Sequence, residues 1–276
     1  MKKWFAVIGD PIAQSKSPEM HNAWYEEGQV DAAYIPVHVK PENLEEAVAA
    51  FKLLGTSGWN VTIPHKQAII PYLDELDDLA EKMGAVNTVV RTKDGKLKGY
   101  NTDGAGFVRS LEDAIGTDYR NAPLLLIGAG GAARGISFAL QQEGYTNITI
   151  ANRTEKNAQA IINELGIGRA ITLAEAESTL DEFKIFIQTT PAGMSTGEFE
   201  LPFSLDKFPT GAIAADIVYN PLMTPFLLAA EKKGAKIVNG LGMFVHQGAI
   251  AYELWLEDYP NTNSMIARLT AQLGGK

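Results

Sequence analysis

An apolar run, Leu124–Ile127, ends in a glycine-rich turn at residues 128–135, reading GAGGAARG, and residues 148–154, reading ITIANRT, follow after one helix-length of chain. No other feature restricts the fold as tightly. A strand that ends in such a turn and enters a helix lets backbone N–H groups approach a pyrophosphate, and the positive helix end favours that anion. Gly128, Gly130 and Ala133 fit the G-x-G-x-x-G/A spacing, a pattern that also occurs in tight turns that bind nothing. Here the context supplies the weight: strand before, helix after, and a basic end to the next strand. A dinucleotide fold reading NAD places Asp or Glu at that end to hold the ribose 2'-hydroxyl, but this chain has Asn152, Arg153 and Thr154. Arginine there suits a 2'-phosphate, so the expected cofactor is NADP.

The 276 residues suffice for two modest domains, and 46% hydrophobic with 21% charged residues is ordinary for a globular protein. With 24 basic against 33 acidic residues the net charge is -9. That argues against nucleic-acid or anionic-membrane partners, so an anionic ligand must be held by local donors. The absence of cysteine excludes disulfides, thiolate nucleophiles and cysteine-based metal sites, and suits a reducing cytosol. The apolar run at residues 4–8 is too short for a signal-peptide core and reads as a first strand. No apolar segment approaches the roughly 18 residues that would cross a bilayer, so a soluble cytoplasmic protein is expected.

Up to residue 63, strand-like and helix-like stretches alternate: strands at 3–8, 32–39 and 59–63, helices at 18–27 and 41–54. Leu44, Ala47, Val48, Phe51 and Leu54 recur at helical spacing and predict one buried face. A second amphipathic helix is expected around Leu76, Leu79, Ala80 and Met83, followed by a hairpin of residues 86–92 and 96–100 about Asp94-Gly95 that closes the sheet. After a helix at 104–115, six strand candidates between residues 124 and 238 make a complete doubly wound dinucleotide-binding sheet. The expected class is therefore α/β with two domains. Residues 1–103, completed by helices within 242–276, form a mostly parallel substrate domain, residues 104–241 form the Rossmann-type NADP domain, and a cleft lies between them.

Several segments carry candidate chemistry. In residues 10–21, DPIAQSKSPEMH, Pro18 and Glu19 mark a helix start that makes Ser17 an N-cap. The hydroxyls of Ser15 and Ser17, beside exposed N–H groups at a positive helix end, would equally hold a small carboxylate. In residues 59–66, WNVTIPHK, a strand ends at Thr62 and Pro64 starts a helix carrying Lys66 in its first turn. On an open surface such a lysine is merely solvated; in a cleft it is a candidate general acid/base for interconverting a hydroxyl and a ketone. Asn87 and Asp103 flank the hairpin, so a chain that doubles back brings both towards Lys66, although both residue types also serve turns. Tyr219, in DIVYNP, could offer a phenol to substrate or cap the core, and Gln247, in GLGMFVHQGA, an amide to a ligand or to its own helix. The four histidines lack metal-ligand spacing, so no metal is expected, and His21, His65 and His246 should be surface or packing residues. From these residues alone the chain reads as an NADP-dependent oxidoreductase of a small hydroxylated carboxylate.

Nine segments in order, PIAQSKSP, NVTIPHK, AVNT, NTDG, GAGGAARG, NRT, TTPAGM, DIVYNP and GLGMFVHQGA, together resemble the shikimate dehydrogenase family over essentially the full length. The resemblance implies reversible reduction of 3-dehydroshikimate to shikimate with NADPH, a step toward aromatic amino acids, by a monomer or homodimer. It gives Ser15 and Ser17 the substrate carboxylate, and Thr62, Lys66, Asn87, Asp103, Tyr219 and Gln247 the ring hydroxyls, with Lys66 and Asp103 as acid/base pair. It lays the cofactor on Gly128, Ala129, Gly130, Gly131 and Ala132, with Asn152, Arg153 and Thr154 at the adenosine phosphate. Thr190, Met194, Gly240 and Met243 then lie toward the nicotinamide, with Ile217 and Asp78 as lesser candidates. One position departs from the pattern: three residues after the threonine of NRT many members carry a second basic residue, where this chain has Asn157 beside Lys156. A quinate/shikimate dehydrogenase of broader range, often using NAD, and a non-catalytic NADP-sensing regulator are the rival readings. The two serines with the Arg-Thr pair speak against the first, and Lys66 with Asp103 against the second.

Overall fold

The computed structural model describes residues 2–191 and 203–274; Met194 lies outside the described residues. The chain divides into two compact units, Met1–Thr102 with Gln247–Met265 and Asp103–His246 with Ile266–Lys276.

The first unit runs β1 (Lys3–Gly9), α1 (Ser17–Glu27), β2 (Ala32–His38), α2 (Leu44–Leu54), β3 (Gly58–Val61), α3 (His65–Ala68), β4 (Glu75–Leu76), α4 (Asp78–Met83), β5 (Thr88–Arg91) and β6 (Leu97–Tyr100). Its sheet has the order β2-β1-β3-β5-β6-β4. β1 pairs in parallel with β2 and β3, whereas β5 is antiparallel to both β3 and β6. The last five residues of β1 are buried, as expected for a central strand covered on both faces. Leu44, Val48 and Phe51 of α2 join Ala6, Ile8, Trp59 and Val61 in the core. Leu54, expected on that face, is 67% exposed. The reason is local, because Gly55 takes a left-handed conformation with φ of 73° and ends the helix there. Leu76, expected in a helix, lies instead in the two-residue strand β4, and Asp77 caps the following helix by accepting from the N–H groups of Leu79 and Ala80. The expected hairpin therefore does not end the sheet: β4 covers the outer edge of β6.

The second unit contains α5 (Asp103–Ile115), β7 (Leu124–Ile127), α6 (Gly131–Gln142), β8 (Ile148–Asn152), α7 (Glu155–Leu165), β9 (Arg169–Thr172), α8 (Leu173–Ser178), β10 (Ile185–Gln188), β11 (Ile213–Asp216), α9 (Pro225–Lys232) and β12 (Lys236–Val238). α10 (Gly240–Leu256) and α11 (Thr262–Gln272) follow, and the boundary between the units falls within each of them. The six strands pair in parallel in the order β12-β11-β10-β7-β8-β9. β7, β10 and β11 are buried throughout, which explains why they read as apolar runs, broken only at the last residues Gln188 and Asp216, rather than as alternating ones. This is the doubly wound sheet expected from the sequence.

α5 and α6 approach so closely that a Cβ added at Gly104 would lie 2.8 Å from the Gly135 carbonyl carbon and 3.0 Å from Ala139 Cβ. Both obstacles belong to the facing helix, and neither is a flexible tip. Gly104→Ala is therefore expected to lower the unfolding free energy by roughly 1–3 kcal/mol, the usual cost of overpacking. Urea denaturation of the variant checks this, and an unchanged midpoint would disprove the close approach.

Candidate active site

In the first unit, the carboxyl ends of β1 and β3 carry the loops that hold the sequence candidates. Ser15 Oγ accepts from the Ser17 N–H at 3.3 Å, and α1 starts at Ser17 with Lys16, not Ser17, at the cap position. The expected capping role of Ser17 therefore falls away. Its side chain is buried, near the phenol of Tyr34. Burial and the neighbouring Tyr25 push Tyr34 well above the usual phenol range, and the Ser17 hydrogen bond acts the other way.

Lys66 is placed by its backbone. The Lys66 carbonyl accepts from the Val86 N–H at 2.8 Å, the His65 N–H donates to the Thr62 carbonyl at 2.9 Å, and the Thr62 N–H donates to the Ile8 carbonyl at 3.0 Å. The buried imidazole of His65 adds a 2.7 Å hydrogen bond between Nε2 and the Val39 carbonyl. Thr62 and Lys66 are half-buried, so the turn is fixed while its side chains stay accessible. His21, His65 and His246 are all buried, in line with the packing alternative for them.

Asn87 is the hub of this unit. Its Oδ1 accepts from the Thr102 N–H at 2.9 Å and from the Thr88 hydroxyl at 3.0 Å, while its Nδ2 donates to Thr102 Oγ1 at 2.9 Å. The Thr102 hydroxyl in turn donates to the Gln247 carbonyl at 3.0 Å. The structure thus brings Asn87 and Gln247, 160 residues apart in sequence, into one hydrogen-bonded network. Sequence reasoning missed Thr88 and Thr102, although both sit inside quoted segments, AVNT and NTDG. It also missed Tyr34 and Asn60, which continue the network. Asp78, exposed at the start of α4, takes no part in it among the described residues.

In the second unit the glycine turn leaves β7 at Gly128, whose φ of 110° is open to glycine and whose added Cβ would lie 2.8 Å from both Thr189 Oγ1 and Thr190 Cγ2. At Gly130 and Gly131 an added Cβ would meet nothing within 4 Å, so the turn is open on its outer side. Gly130 stands at the cap of α6 without a side chain to fill it, and no acidic residue occupies the first turn. The leading N–H groups of this 12-residue helix are therefore presented to an anion. A dinucleotide pyrophosphate fits these features.

The Gly128 N–H donates to the Ala151 carbonyl at 2.8 Å, which ties the turn to the end of β8. There Asn152 Nδ2 donates to the Thr154 carbonyl at 2.9 Å and shapes the turn into α7. Thr154 occupies the cap of α7 without using its hydroxyl for capping, and Arg153, Thr154 and Lys156 are exposed. Thr190 and Tyr219 line a cavity of about 390 Å³ with Thr189, Pro191, Ile217, Val218 and Asn220. Tyr219 also stacks on Phe244, with ring centroids 5.0 Å apart, so it both packs and faces the cavity. The Gly240 N–H donates to the Val218 carbonyl at 3.0 Å, and a side chain at Gly240 would strike the Ile217 backbone; Met243 lies half-buried in the next turn.

Three family profiles match successive parts of the chain. They are described as "Shikimate dehydrogenase substrate binding domain" at residues 7–89, "Shikimate / quinate 5-dehydrogenase" at 110–196 and "Shikimate 5'-dehydrogenase C-terminal domain" at 240–270. A Lysinibacillus sphaericus protein named shikimate dehydrogenase (NADP(+)) is 71% identical over 275 residues, covering 100% of both chains. The structure of shikimate 5-dehydrogenase from Thermus thermophilus in complex with NADP(H) and shikimate matches with a TM-score of 0.86 at 33% identity, over 98% of this chain and 99% of that one. Quinate dehydrogenase from Corynebacterium glutamicum in complex with NAD matches with a TM-score of 0.87 at 28% identity, over 98% and 99%.

Asp216, at the end of β11, is a further group that sequence reasoning overlooked. Its Oδ1 accepts from the Val218 N–H at 3.0 Å and its Oδ2 from the Thr224 hydroxyl at 2.7 Å, which holds the segment carrying Tyr219. Burial nevertheless outweighs these bonds and pushes its pKa up to about 6. A carboxyl that holds its proton more tightly when folded favours the folded state at low pH, and this contribution is lost as pH rises from about 4 to about 6. Asp216→Asn does not titrate, so its stability relative to the parent should improve across that window by on the order of 2 kcal/mol and then level off. Urea unfolding at about pH 4 and about pH 7 measures the change, and a constant difference would contradict it.

Proposed function

The chain belongs to the shikimate dehydrogenase family, and from that premise we propose that it catalyses the reversible NADPH-dependent reduction of 3-dehydroshikimate to shikimate. The observation that carries the cofactor half of this reading is the open, uncapped glycine turn hydrogen-bonded to a strand end that bears Arg153 and no carboxylate. The pyrophosphate would be held by Gly128, Ala129, Gly130, Gly131 and Ala132, and the 2'-phosphate by Asn152, Arg153, Thr154 and Lys156. Lys156 stands one position before Asn157, where many members carry the second base. Thr190, Ile217, Gly240 and Met243 would shape the nicotinamide end. When bound, the reduced nicotinamide supplies the hydride that reaches the carbonyl carbon of the substrate.

Every other part of the reaction falls to the chain's own groups. Ser15, half-buried in the loop before α1, and Ser17, buried at the start of that helix, are assigned the substrate carboxylate. Thr62, Asn87, Tyr219 and Gln247 are assigned the ring hydroxyls. Lys66 Nζ gives a proton to the ketone oxygen as the carbon is reduced and takes it back in the reverse direction, with Asp103 orienting the ammonium. The backbone of Lys66 is pinned by neighbours, so the ammonium is delivered from a rigid base, as proton transfer at a defined atom requires. The same proposal places the enzyme in the cytoplasm as a monomer or homodimer; no helix among the described residues is long and apolar enough to cross a membrane. It also assigns residues 1–103 with 242–276 to substrate and 104–241 to NADP.

Two measurements test it. Lys66→Ala should leave NADP binding nearly intact and lower kcat by a factor of about 10² to 10⁴, the usual worth of a general acid/base, in an assay following nicotinamide absorbance with shikimate. Near-normal turnover would remove Lys66 from the mechanism. Arg153→Ala should weaken NADP by roughly 1.5–3 kcal/mol and scarcely affect NAD, because a charge-assisted bond to the 2'-phosphate is lost. Equal losses for the two cofactors would make Arg153 structural, and a parent enzyme that prefers quinate with NAD would shift the reading to the broader-range enzyme.

A further inference from the structure

We propose that Gln188 and Asp216, the last residues of β10 and β11, form a buried brace that positions both walls of the cavity of about 390 Å³, and that they act on hydride transfer as positioning residues, without touching the cofactor. The inference deepens the dehydrogenase reading and rests on its assignment of Thr190 and Ile217 to the nicotinamide end. Among the described residues the cavity is lined by two segments, 189–191 and 217–220. Each begins directly after one of the two bracing residues.

Both side chains leave the sheet on the same face. Gln188 and Asp216 are register partners in the parallel pair β10–β11, and Gln188 stands opposite Ile127 of β7 on its other side. Two residues earlier on that face lie Phe186 and Ala214, both in the apolar core, so the two polar groups end an otherwise apolar layer. Both residues are fully buried. Each accepts from the backbone N–H two residues ahead: Gln188 Oε1 from Thr190 at 3.0 Å, and Asp216 Oδ1 from Val218 at 3.0 Å. The walls are also joined directly, because the Ile217 N–H donates to the Gln188 carbonyl at 3.2 Å.

Asp216 spans the longer loop. Its Oδ2 accepts the one hydroxyl proton of Thr224 at 2.7 Å, and Thr224 Oγ1 accepts in turn from the Leu227 N–H at 3.3 Å, at the cap of α9. One carboxylate thereby ties the start of the loop, at Val218, to its end, at Thr224. Gln188 shows what the brace gives up. The Thr190 N–H can only donate, so it meets the amide oxygen, and the amide Nε2 is left buried with no hydrogen-bond partner among the described residues. An unmet buried donor is destabilising, and an apolar side chain of similar shape would avoid it. Stability therefore does not account for an amide at this position, whereas its hold on the Thr190 N–H does.

The test uses Gln188→Met, Asp216→Ala, Thr224→Val and Thr224→Ser. For each, kcat/KM for NADP is measured with shikimate, together with the Kd of adenosine 2',5'-bisphosphate, a probe that lacks the nicotinamide, and the melting temperature. Gln188→Met, Asp216→Ala and Thr224→Val should each lower kcat/KM by about tenfold to a hundredfold, the usual effect of misplacing a reacting group by about 1 Å, while the Kd of the bisphosphate stays within about twofold. Thr224→Ser restores the hydroxyl and should return kcat/KM to within about twofold of the parent. Gln188→Met should melt no earlier than the parent, because the unmet donor is removed. If Asp216→Ala does not fold, Thr224→Val decides with Thr224→Ser. Unchanged kcat/KM in folded Gln188→Met or Thr224→Val, a parallel loss of bisphosphate binding, a serine variant as poor as valine, or early melting of Gln188→Met would each overturn the brace. A parent protein that does not turn over shikimate would instead overturn the dehydrogenase reading itself.

Discussion

The amide of Asn87 is the constraint on which the first unit depends. A single side chain immediately before β5 satisfies a backbone N–H just beyond β6, the hydroxyl of the first residue of β5 and a hydroxyl that reaches α10. Its main-chain carbonyl also accepts from the Val61 N–H at 2.8 Å, which registers β5 against the end of β3 just before the loop that carries Lys66. Loss of this residue would leave several buried groups unpaired at once. Such networks cost much when broken because each member was desolvated on the assumption of its partners. The same bonds that stabilise the sheet therefore also fix the orientation of the amide.

The second unit solves a different problem with glycine. A parallel sheet directs its strand ends toward one edge, and a ligand can reach the backbone there only where side chains are withdrawn. Gly128 bends the chain through a conformation other residues avoid, while Gly130 and Gly131 leave the outer surface of the turn clear. Gly240 serves the neighbouring segment by allowing its helix to start against the Ile217–Val218 backbone. Asp216 adds a polar anchor beneath, holding the loop of Tyr219 at the expense of an elevated pKa. Binding surface and buried support are thus separate layers of the same strand ends.

The alternation of apolar runs with amphipathic segments made both sheets legible, because a strand covered on two faces must be apolar at every position. The pairing order was less legible. β4 has only two residues and no period to detect, so the strand at the edge of the first sheet was invisible, and the expected buried position of Leu54 ignored the left-handed stop at Gly55. Ser17 illustrates a third limit: its type and place beside proline suit a helix cap, but its side chain is buried and Lys16 takes the cap position. Local preference is weak beside tertiary burial.

The sequence by itself determined the class of fold, the glycine turn and the basic strand end after it, because these follow from neighbours in the chain and from the backbone freedom of particular residues. It also placed Lys66 and Asn87 at strand-end turns by their flanking motifs. Tertiary structure alone decided how Asn87 is oriented, that Thr102 joins it to Gln247, and that Tyr34 and Asn60 belong to the same network. The physical reason is that a hydrogen bond between side chains depends on separation in space and on the direction of donor and acceptor, and neither quantity is written in residue spacing once the partners lie on different strands.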